Sequence, residues 1–333
     1  MPTAHPRIVV DGLVYFCDGD PAPLRAGGVT AANVTVTDML DGLEPTLDGI
    51  AEWLERIAAP DSPWLLVRTA SDIGLAKASG RTGLIMGWQN TLPIGRNLKR
   101  VRAFHALGVR VVQLTYNEAN FVGDGCSEPR NGGLSLFGRE LVGELNKVGV
   151  AIDLSHCSEA TATEAARLSK RPVLLTHANA KSVNLRPRNK TDETLKAVAS
   201  TGGVIGASIH GLMNWDNDPA HPPTLANFVA HVRYIANLAG IEHVGVGTDF
   251  AAVSDDEKVR HILDMTANQY SSATGTYVAA FGNTLAGRFP GETPSPHHWQ
   301  RIVEALERGG FKASDVDRIV GGNLIRAFGE IWG

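Results

Sequence analysis

The chain has 333 residues, of which 43% are hydrophobic and 20% charged, and its formal net charge is −4 at pH 7. This composition predicts a globular protein with a large core, and it gives no reason to expect nucleic acid or a membrane surface as a partner. No apolar run approaches the roughly 20 residues that cross a bilayer. The three cysteines are typical of a reducing compartment, so the sequence predicts a cytoplasmic protein.

Short apolar runs alternate with helical patterns along the whole chain. The predicted strands are Ile8–Val14, Val29–Val36, Thr82–Trp88, Val109–Tyr116, Val150–His156, Pro172–His177, Gly203–His210 and His243–Phe250. The predicted helices are Leu47–Ala58, Asn97–Leu107, Gly138–Val148, Ala160–Ser169, Asp192–Ser200 and Phe228–Leu238. The strand runs are nearly continuous in apolar residues, which is typical of parallel strands that are buried on both faces.

Eight such strands joined by helices predict an α/β fold, a (β/α)8 TIM barrel. The alternative is an open, doubly wound sheet. No G-x-G-x-x-G motif follows the first strand, which disfavours a dinucleotide-binding protein of that kind. We expect residues 1–333 to form a single barrel domain, with residues 297–333 as C-terminal helices packed outside the barrel.

Polar side chains stand where several predicted strands end. His156 closes the fifth strand, His177 the sixth, and Asp249 lies at the end of the eighth. Because the carboxyl ends of barrel strands meet at one mouth, we expect these three side chains to lie close together. Two imidazoles and a carboxylate suit zinc or a similar divalent ion, which could lower the pKa of a bound water to near 7. Asp249 could ligate the ion or take a proton from that water, and the sequence leaves both roles open.

The ends of other predicted strands provide further candidate site residues. A single histidine at a strand end is more often a hydrogen-bonded structural residue than a ligand, so the metal prediction depends on the pair. His210 is less secure than the pair, because its neighbours also fit the start of a loop. The remaining candidates at strand ends are Leu13, Tyr15, Gln89, Asn90, Tyr116 and Asn117.

Several motifs, in their order along the chain, resemble the membrane dipeptidase family, peptidase family M19. They are GLSLFGRELVGELNKVGVAIDLSHCSEAT, RPVLLTHANAKSV, RPRNKTDETLKAVASTGGVIG, HVGVGTDF and GGNLIRAF. The resemblance covers most of the chain and implies a barrel of the metal-dependent hydrolase type, often as a dimer. It also implies two zinc ions and the hydrolysis of dipeptides with broad tolerance of side chains.

The resemblance assigns roles to individual residues. His156 and His177 match the two histidines that hold the second zinc ion, and Asp249 matches the aspartate that handles the proton of the attacking water. Arg188 resembles the arginine that holds the substrate carboxylate, a task that suits a bidentate guanidinium. Arg186 is close enough to be confused with it in the alignment.

The chain departs from the family pattern at the first metal. Leu13 and Tyr15 stand in place of a His-x-Asp pair that follows the first strand. Met86 takes the place of the bridging glutamate, with Gln89 as the nearest polar substitute, and Tyr116 replaces a histidine. Leucine cannot bind a metal, and two adjacent cations without a bridging carboxylate would repel each other. The resemblance therefore implies a divergent member that lacks the first-metal ligands and holds one zinc ion or none.

Three functions remain open at this stage. The first is a metal-assisted hydrolase acting on an amide bond of a small, dipeptide-like or amino-acid-derived substrate with a carboxylate. In it Asp249 moves the proton, Arg188 binds the carboxylate, and Tyr116 and Gln89 polarise the carbonyl as neutral donors. The second is a metal-free lyase or isomerase, and the third is a non-catalytic small-molecule binding protein. We expect no nucleic-acid or membrane partner, and a homodimer remains open.

Overall fold

The computed structural model describes residues 7–215, 220–253 and 287–333. Within these ranges the strands form one parallel sheet. The strands are β1 (Val10–Cys17), β2 (Ala31–Thr35), β3 (Trp64–Leu66), β4 (Thr82–Trp88), β5 (Val109–Gln113), β6 (Ala151–Asp153), β7 (Leu174–Leu175), β8 (Val204–Ala207), β9 (Val244–Val246) and β10 (Phe250–Ala252).

Helices connect these strands and surround the sheet. They are α1 (Ala22–Ala26), α2 (Leu43–Ala58), α3 (Ser71–Ser79), α4 (Lys99–Leu107), α5 (Leu136–Val148), α6 (Glu159–Leu168), α7 (Asp192–Ser200), α8 (Gly211–Asn214), α9 (Leu225–Ala239), α10 (Gln300–Arg308), α11 (Ala313–Asp317) and α12 (Asn323–Trp332). Helices α5, α6, α7 and α9 each begin after a serine or threonine whose hydroxyl accepts a backbone N–H of the first turn. These N-caps explain why the helices start where the sequence changes from a loop to an amphipathic pattern.

The sheet closes on itself through its last strand. The order is β1-β2-β4-β5-β6-β7-β8-β9, and β10 pairs with β1 at the other edge. Val246 of β9 lies beside Ala207 of β8, and Phe250 of β10 lies beside Val14 of β1. Because only three residues separate β9 from β10, they are two halves of one barrel strand. The predicted (β/α)8 barrel is confirmed, and the open-sheet alternative is wrong.

The predicted elements differ from the structure in several places. Strand β3 and helices α1, α3 and α8 were not predicted. Strand β3 pairs only with the first half of β4 and is an addition to the eight barrel strands. Strand β1 extends to Cys17, so Leu13 and Tyr15 lie within it, whereas the sequence placed them after it. The predicted strands five to seven are too long, because β6, β7 and β8 end two or three residues before their histidines.

The C-terminal segment covers the amino-terminal end of the barrel. Leu324, Phe328 and Ile331 of α12 pack in one buried cluster with residues from the first halves of the strands, such as Val10 and Val111. The amide of Asn323 donates hydrogen bonds of 2.8 Å to the carbonyls of Ile241 and Val244, where β9 begins. Helix α12 thus seals the end opposite the mouth. The extent of a single domain over residues 1–333 stays a prediction.

Phe328 tests the contribution of this seal to stability. It is 1% exposed and stacks on Trp332 with ring centroids 4.2 Å apart. Phe328→Ala is expected to lower the free energy of unfolding by about 3–5 kcal/mol, because it removes a buried ring and leaves a cavity. Urea denaturation followed by circular dichroism measures the change. Leu136→Ala is the control, since Leu136 is 84% exposed and its loss is expected to change stability by less than about 0.5 kcal/mol. An equal effect of the two substitutions would contradict the role of α12.

Candidate active site

Two buried imidazoles meet at the carboxyl end of the barrel. His156 is 2% exposed and His177 is fully buried. Their Nε2 atoms lie 2.9 Å apart, and their ring centroids are 4.9 Å apart. The predicted convergence of these two histidines is therefore what the structure shows. The hydrogen bonds at their Nδ1 atoms orient the two rings.

A relay of polar groups holds His177. Its Nδ1 lies 2.8 Å from the Thr176 hydroxyl, which donates a 2.7 Å hydrogen bond to Oδ2 of Asp153. The other oxygen of Asp153 accepts the Ser155 hydroxyl at 2.6 Å and the backbone N–H groups of Ser155 and Thr176 at 3.0 Å. Burial raises the pKa of Asp153, and these hydrogen bonds oppose that shift. Asp153 thus fixes the end of β6 to the residues that follow β7.

Asn117 and Tyr116 hold His156 from the other side. The Nδ1 atom of His156 lies 2.7 Å from Oδ1 of Asn117. The Tyr116 ring stacks on the His156 ring at 4.3 Å with an interplanar angle of 25°. Asn117 has a φ of +53°, a conformation that asparagine tolerates better than most residues. A Cβ atom on Gly125 would lie 2.2 Å from the carbonyl carbon of Asn117, so this loop requires glycine there.

Arg188 lies against the histidine pair and is 4% exposed. Its guanidinium donates to the backbone carbonyl of Ser155 in a short hydrogen bond and to the carbonyl of His177 at 3.4 Å. Burial first, and the Arg188 charge second, hold the pKa of both imidazoles well below its ordinary value. Both histidines are therefore neutral at pH 7. Neutral imidazole is the form that binds metal ions.

Asp249 lies between β9 and β10, with a φ of +61°. Its backbone N–H donates a 3.0 Å hydrogen bond to the Leu13 carbonyl, which joins the last barrel strand to the first. Burial raises the pKa of the Asp249 carboxyl to about 7; the Arg188 charge opposes this shift, and Asp11 and Asp153 add to it. A carboxyl that titrates near 7 can exchange protons with a substrate or a water at neutral pH.

The other predicted site residues differ in how they contact the His156–His177 pair. Tyr116 does so by stacking on His156, whereas the Gln89 amide nitrogen donates to the Thr35 hydroxyl at 3.0 Å, at the end of β2. His210 is the N-cap of α8, and its Nδ1 accepts the Leu212 N–H at 3.2 Å. His210 thus begins a short helix and not a loop, and it lies close enough to His156 and His177 to contribute to lowering their pKa.

Met86 does not face the mouth. It lies on the same face of β4 as Trp88, whose ring packs edge-on against Phe104 of α4 at 4.8 Å. The interpretation of Met86 as the replacement for a mouth carboxylate is wrong, because strand neighbours alternate between faces and Met86 belongs to the helix-facing side.

The two imidazoles can serve as donors to at most one metal ion. Typical zinc–imidazole bonds are about 2.0–2.1 Å, so two Nε2 atoms 2.9 Å apart can both reach a single ion. Among the residues that the structure describes, no group of three or more His, Cys, Asp and Glu side chains could hold a metal. Leu13 is buried in β1 and Tyr15 lines a cavity of about 490 Å³ beside α2, and neither replaces the missing first-metal ligands.

Two residues that the sequence analysis does not name, Thr176 and Asp11, help to position the site. Thr176 was not singled out, although it immediately precedes His177 in the LLTH motif. Asp11 accepts the Thr248 hydroxyl at 2.6 Å and the Trp299 indole N–H at 2.9 Å, and so fixes the residue before Asp249. A lone aspartate in the first strand carries no sequence signal for such a role.

The fold and the site together define a barrel of the metal-dependent hydrolase type. The family model of the membrane dipeptidases, peptidase family M19, matches residues 22–271. The chain therefore belongs to the membrane dipeptidase family. The lack of first-metal ligands, which is inferred from Leu13 and Tyr15, stays a prediction.

Curated relatives and solved structures agree with this membership. The dipeptidase tcpJ of Claviceps purpurea is 30% identical over 80% of this chain and 55% of its own length, and dipeptidase aclJ of Aspergillus oryzae is 29% identical over 76% and 52%. The chain thus spans about half the length of the curated relatives it matches. An amidohydrolase from Pseudomonas aeruginosa is 31% identical, with a TM-score of 0.84 over 98% of this chain and 97% of its own. Within the described ranges, no helix is both long and apolar enough to cross a membrane.

Proposed function

We propose that this protein is a metal-assisted hydrolase that cleaves an amide bond of a small, dipeptide-like or amino-acid-derived substrate. The observation that carries the proposal is the pair of buried, neutral imidazoles whose Nε2 atoms are 2.9 Å apart and which lie against a buried arginine. Membership of the dipeptidase family supports the reaction class. The substrate would be a small molecule with a free carboxylate.

Each residue has a separate task in this proposal. His156 and His177 would hold one zinc ion, which supplies a Lewis acid and a water of lowered pKa. Asp249 accepts the proton of the attacking water and returns it to the leaving amine, for which its pKa of about 7 is well placed. Arg188 binds the substrate carboxylate with the N–H groups that its two backbone contacts leave over. Tyr116 donates to the carbonyl of the bond that is cleaved.

Gln89 was predicted as a second donor to the same carbonyl. Its amide nitrogen donates one N–H to Thr35, and the amide has a second N–H that could serve the substrate. The zinc ion, a cytoplasmic location and a homodimer stay predictions.

A metal-free lyase or isomerase is the second candidate. It is favoured by one observation, that no third histidine, cysteine, aspartate or glutamate joins a metal-binding group with the pair in the described ranges. In that case His156 and His177 would share a proton, and Asp249 would be the second acid–base group.

Zinc content and turnover, measured together, test the proposal. Wild-type protein is expected to hold about one zinc ion per chain and to release amino acids from some members of a dipeptide panel. EDTA is expected to abolish turnover and added zinc to restore it. His177→Ala is expected to lose both zinc and turnover, whereas His297→Ala, at an exposed position in the tail, is expected to keep both.

Two results would separate the candidates. A wild-type protein that binds no zinc and leaves the whole panel intact would contradict the hydrolase. Turnover of a non-peptide substrate that resists EDTA would establish the metal-free enzyme instead.

A further inference from the structure

The two imidazoles face each other through the same atom, Nε2, and each has its Nδ1 bonded to a different polar side chain. A neutral imidazole carries one proton, on Nδ1 or on Nε2, and the hydrogen-bond partners decide which. The partners of the two Nδ1 atoms therefore determine whether the two Nε2 atoms present protons or lone pairs to each other.

Thr176 determines the tautomer of His177. Asp153 receives four donors, namely the hydroxyls and the backbone N–H groups of Ser155 and Thr176. Since the single hydroxyl proton of Thr176 goes to Asp153, the Thr176 oxygen has only lone pairs left for His177. The 2.8 Å contact then requires the proton of His177 to lie on Nδ1.

Asn117 determines the tautomer of His156. The amide oxygen of Asn117 can only accept, and it lies 2.7 Å from Nδ1 of His156. The Cys126 thiol also donates to this oxygen, at 3.4 Å, so two donors converge on it. The contact therefore requires the proton of His156 to lie on Nδ1 as well.

The consequence is that two lone pairs face each other across 2.9 Å. Two acceptors cannot form a hydrogen bond with each other, so a cation that binds to both Nε2 atoms relieves the repulsion between their lone pairs. We propose that Asn117 and Thr176 are positioning residues, which fix both imidazoles as Nδ1–H tautomers so that one divalent ion is bound by both Nε2 atoms. This inference rests on the proposed function, and it adds the two residues that prepare the pair for the ion.

Zinc affinity of the apo protein tests the inference without any turnover. Zinc would be titrated into EDTA-treated, dialysed protein in competition with a chromophoric chelator. Thr176→Val removes the hydroxyl at nearly constant shape, and Asn117→Gly removes the amide at a φ that glycine adopts freely. Each is expected to weaken zinc binding by about 10–100-fold, as is usual for groups that orient a ligating histidine. Thr176→Ser and Asn117→Asp keep the acceptor and are expected to stay within about threefold of wild type.

A second measurement reads the tautomers directly. Long-range proton–nitrogen NMR of histidine-labelled apo protein is expected to show His156 and His177 protonated at Nδ1, and Thr176→Val is expected to change His177 alone. Zinc binding by Thr176→Val and Asn117→Gly that equals wild type would overturn the inference, as would an Nε2–H tautomer or a shared proton in the wild-type pair. Wild-type protein that binds no zinc would also overturn it. If zinc binding and tautomers behave as expected but no dipeptide is cleaved, the hydrolase proposal fails while this inference stands.

Discussion

Asp249→Asn is expected to lower kcat/KM for a cleaved dipeptide by about 10²–10⁴-fold, the usual contribution of a positioned acid–base group. Asparagine keeps the shape of the side chain and tolerates the φ of +61°, so the loss reports the missing carboxylate and not a distorted loop. Initial rates at saturating and low substrate concentration give kcat and kcat/KM. Asp61→Asn, on the exposed turn before β3, is the matched control and is expected to leave both unchanged.

The pH dependence of the same reaction follows from the pKa of Asp249. The carboxyl is protonated below about pH 7 and cannot accept the proton of the attacking water. Wild-type kcat/KM is therefore expected to rise with pH and to level off above about 7, and the residual activity of Asp249→Asn is expected to lack this inflection. An identical rise in the variant would assign the inflection to another group.

As pH rises from 4 to 7, the contribution of Asp249 to stability is expected to fall while activity rises. Because the folded-state pKa of Asp249 is raised, its stabilising contribution is complete below its ordinary value of 3.8 and is lost as pH rises to about 7. Asp249→Asn does not titrate, so its melting temperature is expected to exceed that of wild type by a margin that widens from pH 4 to pH 7. Thermal unfolding at several pH values measures this margin, and a margin that narrows over that range would contradict the shift.

The barrel could be predicted because its strands are continuous apolar runs, and this pattern needs no knowledge of contacts. Strand β3, Trp64–Leu66, is an addition that pairs only with the first half of β4, so the alternation of eight strands and helices gives no reason to expect it. The face of β4 on which Met86 lies could not be predicted either. The run around it, GLIMGW, does not alternate between polar and apolar residues, so the sequence is equally compatible with either face.

The candidate site was predictable in its position but not in its geometry. Both histidines follow short parallel strands, and a closed barrel brings such residues to one mouth. The contact between their Nε2 atoms depends on Asn117, 39 positions before His156, and on the bond from Thr176 to Asp153 across two strands. No spacing rule encodes side-chain hydrogen bonds of this kind, so the tautomers follow only from the coordinates.

Arg188→Met is expected to raise KM for dipeptides with a free carboxylate by about 10–150-fold, which corresponds to the roughly 1.5–3 kcal/mol of a hydrogen bond to a charged group. The effect on kcat is expected to be smaller, because the carboxylate is bound in the ground state and in the transition state alike. C-terminally amidated dipeptides lack the charge, so their KM is expected to change little. The loss of the Arg188 charge is also expected to raise the pKa of Asp249 further and to move the rise in kcat/KM to higher pH.

Arg186→Met is the control for Arg188, and it also decides between the two arginines of the LRPRN segment. Arg186 donates to the backbone carbonyl of Trp215, outside the histidine pair, whereas Arg188 donates to the carbonyl of His177 itself. Its replacement is therefore expected to leave KM within about threefold of wild type for free and amidated dipeptides. Circular dichroism confirms that both variants fold, since Arg188→Met leaves two backbone carbonyls without their donor. If Arg186→Met raised KM for free carboxylates and Arg188→Met did not, the carboxylate would bind to Arg186 on the Trp215 side, and the role proposed for Arg188 would be wrong.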